Sequence, residues 1–312
     1  MTTPHVSTRG ASPALALWLA TFALFTMTAM SAIIHEAAKV APVGQLVFWR
    51  SIVALGPILI YLWFRGELGA SVRTKYPHKH LIRGILGSGV MISNFIALAY
   101  LSVGLAQAIS YLTPIMSIGA AMVFLRERPG GIVIAGVALG LVGILLMLFP
   151  ALVSSEMREG TLIGVAAGLA MAATNALSRV QVKDLTRTDP PASIALSFAV
   201  VSTLVGLSTM AFGWAELDSQ TLWLLISAGV LGGMGHVLMT EAVARAPVSL
   251  LAGYEYTGII WAFLFDVALL GVVLDAWSVV GALVVVAAAA LAAYGQGKFS
   301  AKPASEKATA SA

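Results

Sequence analysis

Four ionisable residues lie inside long apolar stretches, where each could bind a polar solute or carry a proton: His236, Glu241, Glu255 and Asp266. A charged side chain at the centre of a bilayer costs about 2.5–3.5 kcal/mol even on a lenient insertion scale, so it usually faces a cavity or a partner. Glu255 lies roughly 10 Å inside its stretch, at about 1.5 Å per residue. We expect Glu255, with or without His236, to bind a substrate amino group or a coupling proton.

Structural roles are open to the other three residues. Glu241 can form an ion pair with Arg245 at a helix end, and Asp266 can extend its carboxylate to the membrane surface. His236 can titrate near neutral pH, or it can only satisfy a hydrogen bond between helices. Glu255 is therefore the stronger functional candidate.

A proline interrupts the apolar stretch 106–125 at Pro114. Proline removes one backbone hydrogen bond from a helix, and the freed carbonyl group needs another partner. The resulting kink could act as a hinge, or it could only shape the packing. A second stretch, 248–270, is irregular around Thr257, so we expect both stretches to bend during gating.

Motifs for catalysis or metal binding are incomplete in this sequence. His35 and Glu36 begin like the zinc-protease motif HExxH, but Lys39 stands at the second ligand position. The sequence has no GxxxxGK[ST] phosphate-binding loop and no cysteine for a disulfide, a thiolate metal site or an iron–sulfur cluster. We therefore expect no catalytic residue, no metal and no cofactor, and a protein that is not an enzyme.

Ten apolar stretches position these residues. Apolar and aromatic residues make up 59% of the 312, and 10% are charged, against about a quarter in a soluble domain. An apolar run of about 20 residues matches the thickness of the bilayer core. The predicted fold class is an all-α polytopic membrane protein with ten transmembrane helices, at about 14–36, 44–64, 81–101, 106–125, 131–149, 161–180, 192–213, 220–242, 248–270 and 276–296.

The 18 lysines and arginines are distributed unevenly among the connections. Most follow an even-numbered stretch or flank the termini, whereas the opposite side has only Lys39 and Arg158. Because basic connections stay in the cytoplasm, we expect both termini to be cytoplasmic and the chain to span a bacterial inner membrane several times. Topology also explains the net charge of +4, so no nucleic-acid partner is expected.

Residues of the first half recur in the second half at a nearly constant offset. Each match is weak alone, but the offset is 143 or 145 positions in every case. The matched pairs are Gly84 with Gly229, Gly87 with Gly232, Tyr111 with Tyr254, and Gly136 with Gly281.

Five stretches in each half predict a duplication. Because five is odd, the second copy must lie inverted in the membrane, an architecture that transporters build around a midplane site. The expected organisation is a cytoplasmic arm, a five-helix repeat, a periplasmic connection, an inverted five-helix repeat and a disordered cytoplasmic tail, at 1–13, 14–149, 150–160, 161–296 and 297–312.

Three sequence features accompany this layout: FWRSIVAL at 48–55, Pro114 in the fourth stretch, and Glu127 in the charged segment that follows. With them the chain resembles the drug/metabolite transporter superfamily of the EamA-domain type, and within it the YddG-like group of bacterial amino-acid exporters. The resemblance implies efflux of small metabolites by alternating access. It also implies a cavity lined by stretches one, three, four, six, eight and nine.

The expected function is a secondary transporter that exports small metabolites, amino acids first, including apolar and aromatic ones. Its expected partners are the substrate, the lipid bilayer and a coupling proton. Low charge in the spans argues against sugar phosphates and nucleotides, which would need buried arginine or lysine. Efflux of cationic drugs is the alternative, and a membrane enzyme or a sensor is less favoured. The candidate substrate-binding residues are Asn94, Tyr111, Asn175, His236, Tyr254, Glu255 and Trp261.

Overall fold

A computed structural model of the chain describes most of its apolar segments. Among the residues it describes, every regular element is helical. The described residues are 13–71, 74, 76–113, 116, 131–153, 160–185, 188–189, 191–243, 245, 258–273, 275–288 and 290–291.

The helices follow the predicted apolar stretches. They are α1 Pro13–Ala37, α2 Val43–Phe64, α3 Leu68–Ser71, α4 Pro77–Tyr100, α5 Val103–Ser110, α6 Gly131–Val153, α7 Thr161–Leu185, α8 Pro191–Ser208, α9 Ser219–Val243, α10 Gly258–Ala268 and α11 Ala276–Ala288. A 3-10 turn, Thr209–Phe212, continues α8.

Six of the described helical segments are long and apolar enough to cross a bilayer, and they coincide with predicted stretches one, two, three, six, seven and eight. Shorter apolar helices occupy stretches five, nine and ten. Stretch four is described only through residue 113 and at residue 116, and stretch nine only from residue 258. The all-helical architecture is confirmed over the described ranges, and ten complete crossings stay a prediction.

Large apolar side chains cover the outer surface of these helices. Trp18, Phe64 and Phe212 are each more than 60% exposed, and many leucines and isoleucines on other helices are exposed with them. Water-soluble monomers rarely expose contiguous apolar patches of this extent. Lipid tails would cover these side chains, which agrees with helices long enough to cross a bilayer.

Helix α4 begins four residues before its predicted start. Pro77 is at the first helical position, where proline's fixed φ suits a helix and its missing N–H is not needed. The basic segment that follows is therefore helical and not part of a connection. As a result Arg83 is the seventh residue of α4 and not the third residue of the predicted stretch, so it lies one turn further inside the helix than expected.

Helices of the two halves pair in a symmetric pattern. Helix α1 packs on α9, and α4 packs on α7. The counterpart of α1 in the second half is α7, and the counterpart of α4 is α9. Replacing each helix by its counterpart therefore converts the first pairing into the second. The same holds for α2 on α9 and α8 on α4, and for α1 on α10 and α7 on α5.

Glycines at matched positions form the closest of these crossings. A β-carbon on Gly84 would lie 2.5 Å from Cβ of Val201, and one on Gly229 would lie 2.5 Å from Cβ of Val53. Real β-carbons do not approach so closely, so each glycine lets two helix backbones meet. The 145-residue offset between these glycines therefore corresponds to one contact made twice.

A third glycine crossing joins α6 to α11. A β-carbon on Gly281 would lie 2.6 Å from the carbonyl oxygen of Gly143, and one on Gly143 would lie 2.9 Å from that of Gly281. The offset had matched Gly281 with Gly136, two turns earlier on the same helix. Facing backbones at a crossing depend on helix rotation and tilt, which a sequence offset does not encode.

Candidate functional site

Arg50 and His236 meet at the interface between the two halves. Arg50 is on α2 and is 5% exposed, and its Nη2 lies 2.9 Å from Nε2 of His236 on α9. A guanidinium group can only donate hydrogen bonds, so Nε2 must be the acceptor. His236 is therefore a neutral ring with its proton on Nδ1.

Two glycines of α9 make room for Arg50. A β-carbon on Gly232 would lie 3.0 Å from Arg50 Nε, and one on Gly229 would lie 3.2 Å from the Arg50 carbonyl oxygen. Gly229 is roughly 15 Å from the start of α9 at about 1.5 Å per residue. Arg50 therefore lies near the middle of the helix bundle and not at its end.

A second arginine approaches the same place from α4. The Arg83 guanidinium carbon lies 4.9 Å from the centre of the Phe198 ring, and the Phe198 ring lies 6.0 Å from the His236 ring. A β-carbon on Gly87 would overlap Arg83 Nη1. The missing side chain thus lets the guanidinium lie along α4, one turn deeper than its own backbone.

We call Arg50, Arg83, Phe198 and His236 the arginine–histidine cluster. No carboxylate within the described ranges forms an ion pair with either arginine, and the ion pairs found there lie near helix ends. Arg50 Nε and Arg83 Nε and Nη1 are buried and have no hydrogen-bond partner in the part of the chain that the structure describes. The argument that low charge in the spans excludes an anion site is therefore wrong, because two arginines within α2 and α4 carry buried guanidinium nitrogens.

Two aromatic candidates occupy a different part of the bundle. Tyr111 is 6% exposed, and a β-carbon on Gly258 would lie 3.1 Å from its hydroxyl oxygen. Trp261 on α10 stacks edge-on against Phe25 of α1, with 5.2 Å between the ring centres. Both candidates therefore lie in the region where α5 and α1 meet α10.

The polar candidates Asn94 and Asn175 are half-buried on α4 and α7, two helices that pack against each other. Neither forms a side-chain hydrogen bond to another described residue. The remaining candidates, Pro114, Tyr254, Glu255 and Thr257, lie outside the described residues.

Asp266 has a structural partner that its sequence context did not reveal. It is 1% exposed and accepts hydrogen bonds from the backbone N–H groups of Val103, at 2.9 Å, and Gly104, at 2.6 Å. These N–H groups are at the start of α5. The first N–H groups of a helix have no partner within the helix, and they favour a negative charge there. The interpretation that Asp266 extends to the membrane surface is therefore wrong.

Glu241 belongs to an ion-pair network at the predicted cytoplasmic end. It contacts Arg245, as predicted, and it also accepts from Arg65 at 2.8 Å and from the hydroxyl group of Tyr61. Arg65 and Tyr61 belong to the end of α2. This network therefore joins the ends of α2 and α9 below the arginine–histidine cluster.

A second polar contact joins α4 to the start of α8 at the same end. His80 Nε2 lies 3.3 Å from Asp189 Oδ1, and its Nδ1 lies 2.7 Å from Ser197 Oγ. Burial favours the neutral form of Asp189, but hydrogen bonds from Thr188, Thr74 and His80 and the His80 charge outweigh it, so the Asp189 pKa is lowered. Ser197 donates its own proton to the Ser193 carbonyl, at 2.8 Å, so His80 does not activate Ser197 as a nucleophile. We call the contact between His80 and Asp189, which joins α4 to the segment before α8, the His80–Asp189 latch.

Sequence reasoning missed both arginines and Phe198 as site residues. Arg50 was visible inside FWRSIVAL, and a buried arginine in an apolar stretch is itself a functional signal. Arg83 carried no such signal, because its segment reads as a basic connection. Only the helix start at Pro77 and the gap left by Gly87 bring it to the cluster.

Known proteins match the chain along nearly its whole length. A model of the EamA-like transporter family matches residues 14–149 and again residues 159–294. The pseudopaline exporter CntI of Pseudomonas aeruginosa is 29% identical over 275 residues, which cover 86% of this chain and 93% of the exporter. A riboflavin transporter of Rhizobium johnstonii is 29% identical over 232 residues, covering 70% and 74%. A solved crystal structure shares the fold, with a TM-score of 0.63, 19% identity and coverage of 90% and 97%.

Proposed function

We propose a transport mechanism on the premise that this chain belongs to the EamA-like transporter family, whose model matches each of its halves. Two of the relatives it resembles are named as an exporter of pseudopaline and a transporter of riboflavin, which supports transport of a small metabolite. The chain acts as a secondary exporter, with amino acids as its first substrate class. Transport proceeds by alternating access between two inverted five-helix repeats in a bacterial inner membrane.

The observation that carries this proposal is the contact between Arg50 and His236, 2.9 Å across the interface of the two halves. Polar groups this deep in a bilayer are rare and mark substrate or ion pathways. In transporters built from inverted repeats, the solute site lies near the midplane where the repeats meet. The position of the cluster at the contact between the two halves supports placing the solute site there.

Contacts at the two ends of the bundle suit the role of gates. The Glu241 network and the His80–Asp189 latch close the end predicted to face the cytoplasm. The contact from Asp266 to Val103 closes the opposite end. Partly exposed ion pairs contribute only about 0–1 kcal/mol each, so rocking of the repeats can break the Glu241 network without a large barrier.

Flux measurements test the exporter function directly. Purified protein in proteoliposomes should carry radiolabelled tryptophan and leucine down their gradients, and protein-free liposomes should not. Flux of cationic dyes without flux of any amino acid would replace the proposed function by its alternative, drug efflux. The positive charge of Arg50 and Arg83 disfavours that alternative.

Proton coupling through Glu255 stays a prediction. Tryptophan flux by the Glu255→Gln variant, measured over a pH series, should lose the pH dependence of the natural protein. Flux with an unchanged pH profile would remove Glu255 from the mechanism. Pro114→Ala tests gating in the same way. If the variant keeps the natural ratio of inward-open to outward-open protein, Pro114 is not a hinge.

The orientation of the repeats can be tested because the chain has no cysteine. Single cysteines replacing Lys39 and Lys298 should react with impermeant maleimide from opposite sides of the membrane. In right-side-out vesicles the first should be labelled and the second protected. Equal labelling of both would contradict cytoplasmic termini together with a ten-helix fold.

A further inference from the structure

We propose that the transported substrate is an organic anion whose carboxylate binds between Arg50 and Arg83. This inference rests on the proposed export of small metabolites, and it ranks simple carboxylates above amino acids as substrates. Two guanidinium groups of the first half approach one neutral imidazole of the second half. Both present buried donors that no acceptor among the described residues satisfies. Such an arrangement of free donors suits the binding of an oxyanion.

Electrostatics favours an anion at this place. A guanidinium group inside a bilayer is stabilised only by a counter-charge, by hydrogen-bond acceptors or by water. Within the described ranges no acidic side chain pairs with Arg50 or Arg83. His236 accepts one hydrogen bond from Arg50, but a neutral ring cannot offset either charge. A bound carboxylate supplies both the counter-charge and the acceptors.

The geometry holds the two guanidinium groups ready for a ligand. The Phe198 ring lies against the face of Arg83, at 4.9 Å, which restrains the plane of the group while leaving its edge for hydrogen bonds. Gly232 and Gly87 provide the space that the side chains occupy. Arginine binds carboxylates through its planar fork, so pre-orientation lowers the entropy lost on binding.

Charge also ranks the ligands that this cluster can accept. An ammonium group would be repelled by both arginines, so a cation is rejected and a zwitterion binds less tightly than the matching carboxylate. A phosphate dianion has a larger desolvation cost, because that cost rises with the square of the charge. The surroundings of Phe198 and the glycines offer little to offset it. The cluster therefore favours carboxylates with little or no positive charge.

Three probes with one indole ring separate these possibilities: indole-3-propionate, tryptophan and tryptamine. Binding to the purified protein in detergent is measured by ligand-induced thermal stabilisation and by titration. Indole-3-propionate should bind tightest, tryptophan less tightly and tryptamine least. Inorganic phosphate is the fourth probe, and it should bind more weakly than indole-3-propionate.

Variants connect this ranking to the arginines. Arg50→Gln should weaken binding of indole-3-propionate about tenfold or more, the effect of losing a charged hydrogen bond, and should abolish its advantage over tryptamine. Arg83→Gln should act in the same direction, and Arg50→Lys should retain part of the affinity. The matched control is Arg65→Gln, whose arginine pairs with Glu67 and Glu241 at a helix end, and it should keep the full ranking.

Several results would overturn the carboxylate site. They are tightest binding by tryptamine, tighter binding by phosphate than by indole-3-propionate, no binding of any probe, or an unchanged ranking in both glutamine variants. If Arg50→Gln does not fold, Arg83→Gln and Arg50→Lys decide the question. The exporter function is judged separately by flux: carboxylate binding without amino-acid flux overturns only the amino-acid substrate, and flux without the ranking overturns only the carboxylate site.

Discussion

Replacement of Asp266 tests whether one buried carboxylate connects the two halves. The Asp266 carboxylate accepts backbone hydrogen bonds from Val103 and Gly104 at the start of α5. A β-carbon on Gly104 would lie 2.8 Å from Asp266 Oδ2, so glycine is needed for this approach. The perturbation is Asp266→Ala, which removes both acceptors and leaves the backbone donors in place.

The expected loss follows from the burial of the pair. Because Asp266 is 1% exposed, water cannot replace it without opening the interface. Each buried N–H left without an acceptor costs about 1–3 kcal/mol, so Asp266→Ala should destabilise the fold by about 2–6 kcal/mol. Asp266→Asn should cost roughly half as much, because its amide oxygen can accept one bond while its NH₂ group faces the other donor.

Thermal unfolding of the purified protein in detergent measures these losses. At about 2 °C or less per kcal/mol for a chain of this length, Asp266→Ala should lower the melting temperature by roughly 5 °C, and Asp266→Asn by less. The matched control is Asp275→Ala, which removes only a local cap on α11, where Asp275 accepts from the N–H of Ser278 at 2.9 Å. Its cost should be about 1 kcal/mol.

Equal melting temperatures for Asp266→Ala and Asp275→Ala would refute the reasoning. Such a result would mean that water reaches the start of α5 and that the contact between α5 and α10 does not hold the halves together. A smaller effect for Asp266→Ala than for Asp266→Asn would also contradict it, since the amide keeps one acceptor and alanine keeps none.

Three further changes test the glycine crossing, the ion-pair network and the latch. Gly229→Ala should lower the melting temperature because its β-carbon meets Cβ of Val53 at 2.5 Å, and Val53→Gly in the same chain, which removes that Cβ, should restore part of it. Glu241→Gln should favour the inward-open state by up to about fivefold, since exposed pairs contribute about 0–1 kcal/mol, as measured by labelling of a cysteine introduced beside it. Asp189→Asn should destabilise the protein at neutral pH by loss of the His80 contact. Folding lowers the Asp189 pKa from its ordinary value of 3.8. The difference in stability between the natural protein and Asp189→Asn should therefore be complete above pH 3.8, and it should vanish as the pH falls through the lower pKa of the folded state.

Each of these changes has a control in the same chain. Gly56→Ala should be neutral, because nothing lies within 4 Å of the added β-carbon, and equal effects at Gly56 and Gly229 would contradict the crossing. Glu67→Gln removes a single partner of Arg65 and should shift access less than Glu241→Gln. Asp218→Asn replaces an exposed carboxylate, and a loss as large as that of Asp189→Asn would remove the latch from the explanation.

The repeat was visible in the sequence because one physical constraint acts twice. Gly84 and Gly229 each lie where two helix backbones meet, and any side chain there would clash with a valine of the facing helix. A duplicated fold keeps that constraint at the same spacing, so the offset of 145 identifies equivalent contacts. The contact between Gly143 and Gly281 could not be found in this way. It joins α6 to its own counterpart α11, so it is made once and leaves no second copy at the same offset.

The candidate site was only partly predictable, and the reason is distance along the chain. His236 was recognised as an ionisable group in an apolar stretch, but its partner Arg50 lies 186 residues away. Asp266 was recognised in the same way, yet its acceptor role depends on Val103 and Gly104, more than 160 residues earlier. Local pattern cannot report such partners.

The sequence by itself determined the class of the protein: long apolar stretches, few charges and a recurring offset specify membrane helices in two related halves. Helix formation and burial in lipid follow from local hydrophobicity and length, so they can be predicted from a window of residues. Only the tertiary structure decided which polar groups meet. Helix rotation and glycine-permitted approach brought Arg50, Arg83 and His236 together, and they gave Asp266 a structural role. Contacts made over a few ångströms depend on how whole helices pack, and no single stretch carries that information.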